Sequence, residues 1–380
     1  MKRLIHLAIL GLLTAVLPAF SYAQTSHPEP QTLAIGSTAP DFSLPGIDGK
    51  TYSLKDFDAA SVLVVIFSCN HCPTAQAYED RIMELVNDYK TKGVKVVVIS
   101  STSVKALNLS EMDYSDMGDS FEEMKTRAKT RGFNFPYLYD GDEQKSALAY
   151  GPAATPHCFV FDKDRKLRYV GRIDSRERPG TGNAEDIRNA VDAVLAGKPI
   201  ENPVTKVFGC SIKWSWKDEY TQKLYQEWAE RPVNVEEIDV AGVRKILKND
   251  STGKLRLINV WATWCGPCVE EFSDFVTIDR MYRKRSFEFI SISADKKSKK
   301  TQVLDFLKKR EASNKNFIFS QDNVYDLIEA VDPAWQGALP YTLLVEPGGK
   351  IIYRSQGSIN PAELKKVIVE NHLMGRYYDR

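Results

Sequence analysis

The stretch Leu255-Arg256-Leu257-Ile258-Asn259-Val260-Trp261-Ala262-Thr263-Trp264-Cys265-Gly266-Pro267-Cys268 decides the fold. An apolar run of strand length ends four residues before a Cys-x-x-Cys pair, and a helical stretch follows it. That order places the first sulfur at a helix start, where unpaired N–H groups and the positive helix terminus favour thiolate over thiol. The second cysteine can then resolve a mixed disulfide. Cys265 is read as the attacking sulfur and Cys268 as the resolving one.

Working outward, the same ordered features occur a second time. The C-terminal set continues with Phe287 to Ser293, Leu339-Pro340, Thr342 to Val345 and Lys350 to Tyr353. The N-terminal set runs Val62 to Phe67, Cys69-Asn70-His71-Cys72, a helix, Val94 to Ser100, Thr155-Pro156, Phe159 to Asp162 and Leu167 to Gly171. The cysteine pairs lie 196 residues apart (265 minus 69) and the late prolines 184 apart (340 minus 156), as a tandem duplication with loop differences would give. In each half, Val-, Ile-, Leu- and Phe-rich strands alternate with helical stretches, which predicts an α/β fold with a parallel or mixed sheet covered by helices. By the same analogy Cys69 is the attacking sulfur of the first half and Cys72 its resolving partner.

Length and composition agree. A chain of 380 residues exceeds one ordinary core, and 43% hydrophobic with 27% charged residues describes a globular protein rather than a disordered or multi-span one. Lys plus Arg (51) nearly balance Asp plus Glu (50), so no global field draws in nucleic acid. Lys2 and Arg3, the apolar run Leu4 to Phe20 and Ser21-Tyr22-Ala23 read as a signal peptide over residues 1–23. No second run of comparable apolarity follows, so the mature form is expected to lack an integral membrane domain and to be exported, most simply to a periplasm. The expected division is a first unit at 31–200, a linker with partial helix at 201–232, whose aromatics suggest docking, and a second unit at 233–376.

The second half resembles the TlpA/ResA-type branch of the thioredoxin superfamily, through Asn259 to Cys268 and Gly337-Ala338-Leu339-Pro340. The resemblance implies proton handling by Glu271, three residues after the second cysteine. Asn259 stands where thioredoxins proper carry a buried Asp, and Ser273 where a proline is common. The first half resembles the redoxin, or AhpC/TSA-like, branch of peroxiredoxin-like domains, through Ala39-Pro40-Asp41-Phe42, Phe67 to Pro73, Thr155-Pro156 and the trailing Gly209 to Trp214. A peroxiredoxin would have Pro and Thr seven and three residues before its reactive Cys. Before Cys69 those positions are Val62 and Ile66, and before Cys72 they are Val65 and Cys69. Ala75 is taken as the counterpart of Glu271. The resemblance further implies two thioredoxin-like domains, cis peptide bonds at Pro156 and Pro340, and substrate binding along Thr155, Leu339 and Trp264.

Several residues stay open at this level. His71, between the first two cysteines, is either an imidazole that tunes the Cys69 thiolate or a solvated side chain. Cys158 sits in an apolar strand; Cys210 can pair with it, resolve Cys69, or stay free. No phosphate loop, dinucleotide fingerprint or nucleophile elbow occurs, and five histidines offer few metal ligands, so no cofactor and no metal site is expected. The reading is an exported thiol–disulfide oxidoreductase acting on disulfide-bearing exported proteins, re-reduced by a membrane electron donor and serving, by resemblance, cytochrome c biogenesis. The rivals are a peroxide-reducing tandem redoxin and a chaperone-like binding module whose cysteines only staple the fold.

Overall fold

The computed structural model describes residues 30–378. The proposed signal segment lies outside them, and among the described residues no helix is long and apolar enough to cross a membrane. The first half contains β1 (Ser43–Pro45), β2 (Thr51–Ser53), β3 (Val62–Ser68), α1 (Pro73–Tyr89), β4 (Val94–Ser100), α2 (Phe121–Arg131), β5 (Tyr137–Tyr139), α3 (Lys145–Tyr150), β6 (His157–Phe161), β7 (Leu167–Gly171) and α4 (Glu185–Leu195). After α5 (Asp218–Ala229), the second half contains β8 (Glu236–Ile238), α6 (Val240–Lys248), β9 (Leu255–Trp261), α7 (Gly266–Tyr282) and β10 (Phe287–Ser293). It ends with α8 (Lys300–Lys309), β11 (Lys315–Phe319), α9 (Val324–Val331), β12 (Tyr341–Val345), β13 (Ile351–Gln356) and α10 (Pro361–Glu370).

Each half carries a mixed sheet, in the order β5-β4-β3-β6-β7 in the first and β13-β12-β9-β10-β11-β8 in the second. In both, the strand leading to the cysteines is central, parallel to the next strand and antiparallel to the one after the late proline. β3 is buried along its whole length, which a β-branched, two-faced run requires. Val62, Val64 and Ile66 join Tyr78, Ile82 and Leu85 of α1 on one face. Leu63, Val65 and Phe67 point the other way, into Phe42, Tyr150 and Trp214. β9 splits likewise: Leu255 and Leu257 pack on Phe275, Ile278 and Tyr282 of α7, and Ile258 and Val260 pack on Val243 and Leu327. The chain therefore forms two thioredoxin-like folds in tandem.

The halves touch. Leu107 and Met112, from the loop after β4, sit in the α7 core of the second sheet. Tyr282 donates to the Ser115 carbonyl at 2.7 Å, and the Arg285 guanidinium lies 3.9 Å above the Tyr114 ring. The α5 helix is docked rather than free: Trp228 is buried, and the Thr221 hydroxyl donates to the Ala106 carbonyl at 3.1 Å.

Candidate functional site

In the second unit, β9 delivers the chain to a loop pinned by Asp295, which accepts from the Thr263 amide at 2.8 Å and the Thr263 hydroxyl at 2.7 Å. Cys265 is the N-cap of α7, and its Sγ accepts from the Cys268 amide at 3.3 Å. Cys265 and Cys268 are joined as a disulfide with Sγ atoms 2.05 Å apart. Pro267 in the first turn costs no hydrogen bond, because an amide there has no helical partner. Trp264 beside the pair is 70% exposed.

Glu271 lies one turn further along α7, on the face of Cys268. Its carboxylate is buried; Oε2 accepts from the Ile359 amide at 2.9 Å and Oε1 finds no partner among the described residues. Burial raises its pKa to about 7, against the one hydrogen bond that lowers it. A carboxylate that changes charge near neutrality beside a dithiol is a ready proton acceptor and donor. Asn259, buried below, donates to Thr342 at 3.1 Å.

The first centre differs from the expectation in register. β9 starts 193 residues after β3 (255 minus 62), and β10 starts 193 after β4 (287 minus 94). The residue 193 before Cys265 is Cys72 rather than Cys69. Cys72 is the N-cap of α1, its Sγ accepts from the Ala75 amide at 3.5 Å, and Pro73 opens the helix. Cys69 stands before the helix, at the end of β3, with Sγ 3.1 Å from the Thr155 hydroxyl. Placing Cys69 at the helix entry is therefore corrected: the second cysteine, not the first, receives the helix-terminal field. The same shift makes Tyr78, not Ala75, the counterpart of Glu271.

Electrostatics follow the geometry. Cys72 is fully buried, which opposes the thiolate, yet hydrogen bonds from Cys210 and Cys69, the His71 charge and the Ala75 amide hold its pKa well below the ordinary value. Cys69 is pushed up, first by burial, then by its bond to Cys72 and by the nearby Asp119. His71 is not solvated, and its charge acts on Cys72. It is buried, with Nδ1 hydrogen-bonded to the Asp119 carboxylate, while Nε2 has no partner among the described residues. Burial opposes its protonation, but Asp119 outweighs it and raises the imidazole pKa.

Asp119 also accepts from the Asn70 amide at 2.5 Å, and Asn70 donates to the Gly118 carbonyl at 2.9 Å and accepts from the Tyr137 hydroxyl at 3.0 Å. Asp119 thus organises the Cys-x-x-Cys loop from 49 residues beyond Asn70 in sequence, and only its acidic type hinted at such a role. Cys69, His71 and Asp119 bring one ligand atom each within 4.8 Å of one another and are the set that could hold a metal ion among the described residues.

Both late prolines follow cis peptide bonds, Thr155-Pro156 and Leu339-Pro340. Cys158 is buried in the α1 and α4 core, whereas Cys210 packs against Cys69, Cys72 and Ala75; both are free thiols, and no Cys158–Cys210 bridge forms.

Residues 35–170 match the AhpC/TSA family model, and residues 219–368 match the Redoxin model. Among curated proteins, the thiol-disulfide oxidoreductase ResA of Geobacillus thermodenitrificans is 25% identical over 195 residues, covering 51% of this chain and 97% of that one. ResA of Bacillus anthracis is 28% identical over 168 residues, covering 44% and 86%. Among solved structures, a hypothetical protein of Sinorhizobium meliloti 1021 is 35% identical with a TM-score of 0.43, covering 48% of this chain and 96% of that one. A putative thiol:disulfide interchange protein DsbE of Chlorobium tepidum is 21% identical with a TM-score of 0.34, covering 43% and 99%. The chain belongs to the thiol–disulfide oxidoreductases of the thioredoxin superfamily, as an AhpC/TSA-type unit followed by a redoxin unit of the TlpA/ResA kind.

Proposed function

We propose that this protein is exported by its N-terminal segment and exchanges disulfides of exported proteins at Cys265 and Cys268, with related chemistry at the Cys69–Cys72 pair. The observation that carries this is the second centre: a helix-capping sulfur bonded to Cys268, one turn from a buried carboxyl titrating near 7. In the reducing direction the Cys265 thiolate attacks a substrate disulfide, expelling one substrate thiolate and forming a mixed disulfide. Glu271 takes the Cys268 proton, and the Cys268 thiolate attacks Cys265 Sγ. The second substrate thiolate leaves, and the Cys265–Cys268 disulfide is restored. A membrane electron donor then re-reduces it.

Leu339 receives no backbone hydrogen bond from the described residues, so its N–H and C=O stand ready to pair with a substrate strand, with the exposed Trp264 alongside. In the first unit Cys72, as the helix cap, is the nucleophile. The peroxide-reducing alternative is weaker there, because Cys69 occupies the position three before Cys72 that a peroxidase gives to Thr.

Trapping in cells tests the reading. With Cys268→Ser the Cys265 mixed disulfide cannot resolve, so exported cysteine-containing proteins should be recovered covalently bound and released by reductant. Recovery of none, from a variant that is folded and secreted, would leave the proposal without its substrates.

A further inference from the structure

In the first unit the place corresponding to the open Leu339 edge is already filled by the chain itself. The Thr155 amide donates to the Cys210 carbonyl at 2.9 Å, and the two residues form an antiparallel bridge. Gly209 permits the approach: at φ +135 a Cβ there would stand 2.0 Å from the Thr155 carbonyl oxygen, so no larger residue fits. Ile212 and Trp214, just beyond, are buried in the core of the first sheet and hold the segment down. The side chain so presented packs on Cys72. A cysteine paired beside the cis proline, sulfur against the helix-cap thiolate, has the posture of a substrate cysteine in a mixed disulfide.

We propose that Cys210 is the resolving cysteine of the first centre, delivered to Cys72 by a segment of the chain lying in the substrate-strand groove. The inference rests on the reading of Cys72 as a nucleophile. The Cys72 thiolate attacks a disulfide RS–SR′, releasing R′S⁻ and forming Cys72–S–S–R. Cys210 then loses its proton, attacks Cys72 Sγ and expels RS⁻, which takes up a proton. One external disulfide is reduced to two thiols, and Cys72 and Cys210 are oxidised to a disulfide. Charge favours this order. Hydrogen bonding to Cys72 is the leading cause that holds Cys210 protonated, and forming the mixed disulfide removes the Cys72 negative charge. Cys69 is held protonated first by burial, which does not change when Cys72 reacts, and only then by its bond to Cys72 and by Asp119. While Cys210 occupies the groove an extended protein strand cannot pair with Thr155, so small disulfides are the substrate class for this centre.

The test uses the reduced full chain and oxidised glutathione, with acid quenching, alkylation and peptide mapping without reductant. The expected product is a Cys72–Cys210 bridge. In Cys210→Ser the Cys72–glutathione mixed disulfide should accumulate at least about tenfold above wild type and above Cys69→Ser, because its attacking thiol is gone. A Cys69–Cys72 bridge that forms in wild type and at the same rate in Cys210→Ser would overturn the assignment and leave Cys72 as nucleophile intact. Absence of any glutathione adduct or bridge at Cys69, Cys72 and Cys210 in wild type would remove both this inference and the reading beneath it.

Discussion

Cys265→Ser is expected to lower reduction of a protein disulfide such as insulin by about a thousandfold or more in the full chain, because it removes the helix-capping sulfur that forms the first covalent bond and leaves at that centre only the more deeply buried Cys268. Serine keeps the size and the N-cap hydrogen bond, so stability should change by less than about 1 kcal/mol beyond that of the disulfide itself. The first centre cannot mask the loss. Its nucleophile, Cys72, is fully buried, and its strand-pairing edge at Thr155 is occupied by Cys210. Cys268→Ser separates attack from resolution: Cys265 should still form one equivalent of mixed disulfide and then stop. Steady turnover of insulin by Cys265→Ser at more than a tenth of the wild-type rate would move the chemistry away from this centre.

Glu271→Gln should act on rate and stability in opposite directions. The carboxyl titrates near 7, raised by burial from about 4.5. Between those values the folded protein keeps a proton that the unfolded chain has released, so stability falls as pH rises through that window and levels off above it. Glutamine removes the penalty. The variant should match wild type below pH 4.5 and be more stable by roughly 2 kcal/mol at pH 8, taking about 1.4 kcal/mol per pKa unit and discounting for solvent that screens part of the carboxyl. Resolution of the mixed disulfide should slow by about a hundredfold, and the inflection near pH 7 in its rate should vanish. A variant with the wild-type pH profile would reduce Glu271 to a buried structural residue. Unchanged stability at pH 8 would place its carboxyl near the ordinary carboxylate value.

Much of this arrangement is legible in the residues. The runs Val94 to Ser100, Leu167 to Gly171, Leu255 to Trp261 and Phe287 to Ser293 are strands with those bounds, because short, mostly apolar stretches with a single charge near the start are too short for helices and bury best as strands. The first active centre was harder. Matching one Cys-x-x-Cys to the other sets an offset of 196, whereas the strands run at 193, and three residues of slip moves the helix-terminal field from Cys69 to Cys72. A signal was present: Pro73 suits the first helical position and marks Cys72 as the cap, as Gly266-Pro267 marks Cys265. The partners that tune the site carry no local signal. Asp119 and Cys210 lie in segments without periodicity, and only the closed fold brings them to Asn70, His71 and Thr155.

The central claim is that each half holds a sulfur pair able to pass between dithiol and disulfide. Equilibrating the intact protein in dithiothreitol and glutathione buffers of graded potential, then counting alkylated cysteines by peptide mass, tests it most directly. The account predicts two separate two-electron transitions, one confined to Cys265 and Cys268 and the other including Cys72, with Cys158 reduced throughout. If Cys265 and Cys268 titrated while Cys72 stayed alkylated at every potential, the first unit would be scaffold. If Cys265 and Cys268 stayed oxidised in the strongest reductant, the catalytic account would fail at its principal site.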